Sequence, residues 1–388
     1  MLCNFEYHTP TKLIFGEGSL DKLPEVLSRF GKRILLVYGG GSIHRIGLYA
    51  KLMSILLPEF EVFELRGIQQ NPKYEENVKK GVELCKRNKI DIVLAVGGGS
   101  VIDCAKSICA GALYGGEVWD LICGKEKALK ALPLVTVLTL AATGTEFNNG
   151  SVISRPETHD KICYKDEHIY PVASFLDPVV TYSVSLKQTA AGIVDGFSHV
   201  LEQYFCEEFS DLTNGMCETI MRCLIKNAEA VIRNPDDYCI RGEIMLSCTL
   251  ACNGILSLGN SQSGWPCHAI EHALSGFYDI VHGEGLAIII PAWMKYILGK
   301  KSLSRFVNYG KNVWGLEGNT ETEIAEKAIK HTVSFFTSLG LPQKLNDIGI
   351  GTEQISAMAR HIALTEGLEG AWIPLNEDDI LNILQSCV

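Results

Sequence analysis

The chain has 388 residues, 47% of them hydrophobic and 21% charged, a globular composition long enough for two cores rather than one. Its net charge of -10 argues against a broad nucleic-acid or membrane footprint, although a small pocket of backbone N–H groups can still hold an anion. The 14 cysteines are scattered from Cys3 to Cys387 without a C-x-x-C pair, a pattern of reduced thiols in a cytoplasmic protein rather than a disulfide scaffold.

The opening MLCNFEYHTP lacks a basic n-region and an apolar h-region, so no secretory leader is expected. Apolar runs such as GLAIIIPAWM are too short to span a bilayer. The first strand candidate is Arg33–Tyr38 (RILLVY), which ends in Gly39-Gly40-Gly41-Ser42. A second strand is expected over residues 60–65 and a helix over 74–88. The run 91–96 (DIVLAV) again ends in glycines, Gly97-Gly98-Gly99-Ser100. A helix over 101–112 and a strand over 134–138 follow. Strands alternating with helices, with glycines at the strand ends, predict an α/β fold with a parallel sheet. In such sheets ligands bind beyond the carboxyl ends of the strands. After about residue 185 the period-2 pattern vanishes. Helices are expected over 189–205, 214–234, 240–256, 268–274, 285–298, 321–339 and 378–385. The predicted division is an α/β domain over 1–184 and an all-α domain over 185–388.

Chemistry-bearing residues concentrate in two helical segments. GIVDGFSHVLEQY places Asp195 and His199 four apart, and WPCHAIEHALSGFYDIVHGEG supplies His268, His272 and His282. Residues four apart share a helix face, so a pair can reach one ion. Imidazoles with a carboxylate suit Zn²⁺ or Fe²⁺ better than Ca²⁺ or Mg²⁺, which take oxygen shells. Spacing admits all five residues and does not choose among them.

The loop Gly97–Ser100 joins a strand to a helix, so its N–H groups and the helix N-terminus form an anion site. A tight turn alone would also call for these glycines. The repeat of the pattern at Gly39–Ser42 shifts the reading toward a dinucleotide, although neither loop matches G-x-G-x-x-G. No acidic residue directly follows Arg33–Tyr38, where one would bind a ribose 2′-hydroxyl and repel a 2′-phosphate. Gly40, Ser42, His44 and Arg45 stand there instead, which favours NADP over NAD. The small, polar stretch TLAATGTEFNNG (139–150) is suited to wrap a pyrophosphate or a nicotinamide.

GGGSVIDCAK, TLAATGTEFNN, the LDP of 176–178, GIVDGFSHVLEQY and HALSGFYDIVHGEGLAIIIP together resemble the iron-containing (group III, metal-dependent) alcohol dehydrogenase family, on the branch of NADP-dependent butanol dehydrogenases and broad aldehyde reductases. The resemblance covers essentially the whole chain. It implies an α/β dinucleotide-binding domain followed by an all-α metal-binding domain, the dehydroquinate synthase-like architecture. It implies Asp195, His199, His268 and His282 as ligands of Fe²⁺ or Zn²⁺, with His272 outside the metal shell, beside the substrate. The implied cofactor positions are Gly39, Gly40, Ser42, Asn71, Gly97, Gly98, Ser100, Asp103, Thr139, Thr143, Asn148 and Lys161, the last in a loosely patterned segment. The implied activity is reversible hydride transfer between NAD(P)H and a small aldehyde or alcohol, such as butanal and butanol, by a homodimer without nucleic-acid or membrane partners. His272 is a candidate proton relay; orienting a metal ligand is its alternative role. A cyclase or lyase of the dehydroquinate synthase type, a glycerol or diol dehydrogenase and a non-catalytic binding protein are competing readings. The first is disfavoured because the segment from Asp195 to His282 is poor in Lys and Arg.

Overall fold

The computed structural model describes residues 2–388. They form two compact units. One comprises His8–Val184 and Pro235–Asn253; the other comprises Ser185–Asn234 and Gly254–Val388 together with residues 2–7. The N-terminal residues and 235–253 thus lie in the opposite unit from the one a single division at 184/185 gives them.

The α/β unit holds β1 (Lys12–Phe15), β2 (Arg33–Tyr38), β3 (Glu61–Leu65), β4 (Ile92–Gly97), β5 (Leu134–Leu138) and β8 (Ala173–Leu176), all parallel, in the order β1-β8-β5-β4-β2-β3. Strands β4 and β5 are buried throughout, and β2 is buried after Arg33. Burial on both faces explains why they read as continuous apolar runs rather than alternating ones. From β2 the chain moves outward to β3, then returns across β2 to β4 and continues to β5. The direction of winding therefore reverses between β2 and β4, and a crevice opens at the carboxyl ends of such a pair. Both glycine loops emerge there.

Strands β1 and β8 have four residues each, too short for a periodic signal. The hairpin β6 (Gly150–Arg155) and β7 (Asp160–Lys165) is antiparallel and rich in polar residues. None of these four strands is apparent from the sequence pattern. The helix expected over 240–256 is Tyr238–Ala251 and packs in the α/β unit. Its Thr249 hydroxyl donates to Glu146 Oε1 at 2.6 Å, and the Tyr238 hydroxyl accepts from the Glu17 N–H. Amphipathic spacing shows that a helix buries a face; it does not name the partner.

The helical unit is built on Leu186–Tyr204, Asp211–Arg233, Pro266–Tyr278, His282–Leu298, Leu303–Trp314, Glu321–Ser338, Ile355–Thr365 and Glu377–Ser386. Leu303–Trp314 and Ile355–Thr365 add to the expected set. Ser185 caps the first helix by accepting from the Gln188 N–H at 3.2 Å, the usual device for an orphan amide at a helix start. The helix His282–Leu298 is buried almost all round, from Gly283 to Met294, as expected of a helix that is apolar on every side. All 14 cysteines are free thiols. Among the described residues no helix is long and apolar enough to cross a membrane.

Candidate metal centre and dinucleotide loops

Three helices of the helical unit bring Asp195, His199, His268 and His282 together. Asp195 and His199 project from the middle of Leu186–Tyr204, His268 from the first turn of Pro266–Tyr278, and His282 opens His282–Leu298. Asp195 Oδ1 lies 3.4 Å from His199 Nδ1, 3.8 Å from His268 Nε2 and 3.6 Å from His282 Nε2. Ligand bonds of roughly 2.1 Å in a tetrahedral shell place neighbouring donor atoms about 3.4 Å apart; the donor atoms of Asp195, His268 and His282 lie within 4.8 Å of one another, as one small ion needs, and His199 approaches the group through Asp195. Asp195 Oδ1, His199 Nδ1 and His268 Nε2 are buried without a hydrogen-bond partner. Orphan polar atoms in a protein interior are costly, and such atoms in and beside the Asp195, His268 and His282 group fit a divalent cation.

The opposite edges of two imidazoles are fixed by carboxylates. His268 Nδ1 pairs with Glu202 and His282 Nδ1 with Glu271. Glu202 also accepts the Cys267 N–H at 2.6 Å, and Glu271 accepts the Ser275 hydroxyl. A carboxylate on Nδ1 holds the proton there and leaves the Nε2 lone pair for a metal. Burial by itself raises the carboxyl of Asp195, but the imidazoles of His199, His282 and His268 overcome this and hold it down at about 2. Burial pushes His199 down to about 4, so its imidazole is neutral and able to ligate. Burial works against charge on His268 as well, yet Glu202 and Asp195 lift it to about 10. The two carboxylates thus favour the charged form of this imidazole over the neutral one.

Glycines in H-G-E-G make this convergence possible. A Cβ on Gly283 would fall well inside contact with the backbone carbonyl of Ala191, so His282 approaches Asp195 because two helix backbones touch. A Cβ on Gly285 would meet Glu271 Cγ at 2.8 Å and Oε1 at 3.0 Å, so this glycine makes room for the carboxylate that orients His282. His272 groups with Glu271 and His282 rather than with Asp195. It is buried, with its ring centroid 5.5 Å from that of His282.

In the α/β unit, Gly39, Gly40 and Ser42 follow β2; Gly97, Gly98 and Ser100 lie at the end of β4 and the start of the helix Gly99–Ala112; Thr139 and Thr143 follow β5. The three loops therefore sit at the carboxyl ends of adjacent strands. Asn71 is buried with a left-handed backbone, φ 47°, a conformation asparagine tolerates better than most residues. Lys161 is buried on β7 opposite Ser154.

Asp103 and Asn148 have bonds of their own. Asp103 Oδ1 accepts the Thr145 hydroxyl at 2.6 Å. Asn148 Oδ1 accepts from Lys106 and the Gly150 N–H, and its Nδ2 donates to the Cys252 carbonyl. The fully buried Lys106 ammonium also donates to Thr145 Oγ1, Asn148 O and Gly150 O at 2.7–2.9 Å. The side chains of Asp103 and Asn148 thus tie the 143–150 loop to the helix Gly99–Ala112. On β3, Glu64 accepts the hydroxyls of Tyr38 and Tyr49 at 2.6 and 2.9 Å. Sheet pairing sets Glu64 opposite Leu36, whereas Gly39 accepts the Gly67 N–H.

The iron-containing alcohol dehydrogenase model matches residues 10–178, and the C-terminal model of the same family matches 189–388. The chain belongs to the iron-containing alcohol dehydrogenase family. It is 44% identical to NADH-dependent butanol dehydrogenase A of Clostridium acetobutylicum over 99% of both chains. It is 35% identical to an NADPH-dependent aldehyde reductase of Escherichia coli over 92% of both. Its fold matches the structure of an NADH-dependent butanol dehydrogenase A from Thermotoga maritima with a TM-score of 0.95 at 39% identity, covering 99% of this chain and 98% of that one. Glu202 and Glu271, the carboxylates paired with His268 and His282, are not singled out by the sequence reading. Their signal is the helical period: Glu202 lies seven after Asp195 and three after His199, and Glu271 lies three after His268, each on the ligand-bearing face.

Proposed function

We propose that the chain is a metal-dependent, NAD(P)-linked alcohol dehydrogenase and aldehyde reductase acting on small primary alcohol/aldehyde pairs such as butanol and butanal. The observation that carries this reading is the cluster of orphaned donor atoms on Asp195, His199 and His268, completed by His282. These four residues would hold the metal. A bound Fe²⁺ or Zn²⁺ supplies a Lewis acid for the substrate oxygen, and a bound nicotinamide gives or takes the hydride. Glu202 and Glu271 keep two imidazoles oriented, and burial keeps His199 neutral. His272, one helical turn beyond His268, would pass the proton that the alcohol oxygen gains or loses. In the α/β unit, Gly39, Gly40, Ser42, Gly97, Gly98 and Ser100 would present N–H groups to the pyrophosphate, with Asn71, Thr139, Thr143 and Lys161 around it. Asp103 and Asn148 would act through the loop they brace.

Glu64 and Arg45 bring charges of both signs to the region after β2, so the assay uses NADH and NADPH in parallel. Purified protein loaded with Fe²⁺ or Zn²⁺ should oxidise one or both cofactors with butanal, read at 340 nm, and lose activity with a chelator. No oxidation by the loaded protein across a series of short aldehydes would overturn the reading. The free, mostly buried thiols support a cytoplasmic location. The likeness to the family carries the homodimer reading, which light scattering tests.

A further inference from the structure

The helix carrying His268 and His272 begins in an unusual way. Gly264 has φ 88° and Trp265 has φ 53° and ψ 46°, both left-handed, and Pro266 follows at once. A bulky side chain rarely occupies this region, and a residue before proline is pushed toward extended backbone. A glycine at 265 would avoid the strain. Such strain persists only where the surroundings hold it, and it concentrates at functional sites.

The surroundings here are specific. Gly264 packs with its missing Cβ position 2.6 Å from Ala371 Cα, and the Trp372 N–H donates to the Ser263 carbonyl at 3.2 Å. The turn is therefore pinned on both sides. The indole stands edge-on to two imidazoles of the metal centre, 5.4 Å from His268 at 83° and 6.0 Å from His199 at 66°. Those imidazoles are buried, whereas Trp265 is half-exposed. Trp265 is thus the boundary between the ligands and solvent on this side of the site.

We propose that Trp265 is a specificity-determining residue: its indole forms the outer wall of the metal site and admits unbranched carbon chains while excluding branching next to the carbonyl. The proposal rests on the alcohol dehydrogenase reading above. A flat aromatic wall offers an alkyl chain apolar surface, and one fixed in place would crowd a second substituent beside the carbonyl. The strained backbone keeps the wall in place without substrate.

The experiment compares wild type with Trp265→Phe, Trp265→Ala and Trp265→Gly. Each is loaded with metal and assayed with butanal, 2-methylpropanal and 2,2-dimethylpropanal. Trp265→Ala and Trp265→Gly should raise KM for butanal tenfold or more with a smaller change in kcat. The kcat/KM ratio of branched to straight aldehyde should rise at least tenfold, and Trp265→Phe should restore most of the wild-type profile. Trp265→Gly should melt above Trp265→Ala, because glycine accepts the backbone conformation, so a folded variant without the indole is at hand. A second arm needs no turnover: Co²⁺ added to metal-free protein should quench tryptophan fluorescence, by less than half as much in Trp265→Phe. An unchanged aldehyde ratio in the metal-loaded Ala and Gly variants overturns the proposal, and so does undiminished quenching in Trp265→Phe. If wild type reduces no aldehyde, the functional reading fails, and the quenching arm still decides whether the indole borders the metal.

Discussion

Replacing each of the two buried glutamates behind the metal ligands by glutamine should give unequal effects. Both changes preserve volume and remove one charge. At 271 the partners are His282 Nδ1–H and the Ser275 hydroxyl. A hydroxyl can rotate from donor to acceptor, so the new amide can donate to Ser275 while its oxygen still accepts from His282. For these two bonds the remaining loss is the charge, and removing a carboxylate behind a metal-bound histidine typically costs 10–100-fold in metal affinity, about 1.4–2.7 kcal/mol. At 202 the partners are His268 Nδ1–H and the Cys267 backbone N–H. Both are donors, and the backbone one cannot rotate. Glutamine therefore turns its NH₂ onto a donor whichever way it flips, leaving a buried group unsatisfied at about 1–3 kcal/mol more. Competition of Zn²⁺ or Co²⁺ with a chromophoric chelator measures this. Glu202→Gln should weaken binding by at least fivefold more than Glu271→Gln. Equal losses, or a larger loss at 271, would refute the hydrogen-bond reasoning.

Gly283→Ala should force the helix bearing His282 away from Ala191, lowering stability by about 1–3 kcal/mol and bound metal well below one per chain; thermal melts and metal analysis check both. Lys106→Met removes the cation that four acceptors of the 145–150 loop share. It should destabilise the protein by about 3–5 kcal/mol and raise the dissociation constant for NAD(P)H tenfold or more, while metal stoichiometry holds; unchanged cofactor fluorescence titrations would contradict the brace. Burial lowers His199 to about 4 from 6.5, so the unfolded chain takes up a proton first as the pH falls. Its contribution to metal-free stability is present above about pH 6.5 and is lost toward pH 4, by at most about 3 kcal/mol. His199→Gln should flatten denaturation midpoints across that window, and an unchanged slope counts against the assignment.

Much of this protein is legible before folding. The apolar runs of β2, β4 and β5 and the glycines after β2 and β4 announce a parallel sheet with loops at its carboxyl ends, because strands buried on both faces need continuous hydrophobicity. The pairs Asp195/His199 and His268/His272 mark helix faces rich in ligand chemistry. Elsewhere the local signal is weak. Strand β8 is four residues long, yet it lies between β1 and β5 in the sheet. The helix Tyr238–Ala251 looks like its helical neighbours but joins the sheet-bearing unit. Local periodicity records that a face is buried and carries nothing about what buries it.

The sequence by itself determined which residue types were available to a metal and which strand ends could hold a phosphate, since both follow from side-chain chemistry and a fixed helical or strand period. Only the tertiary structure decided which of those residues meet. It set His268 and His282 against Glu202 and Glu271, grouped His272 with Glu271 and His282, bonded Asp103 to Thr145 and Asn148 to Lys106, and placed Glu64 under the Tyr38 hydroxyl. Each of those outcomes depends on the approach of segments distant in sequence or on the direction of a side chain within a packed interior. Those distances are set by close contacts such as Gly283 on Ala191, which exist only once the helices have packed.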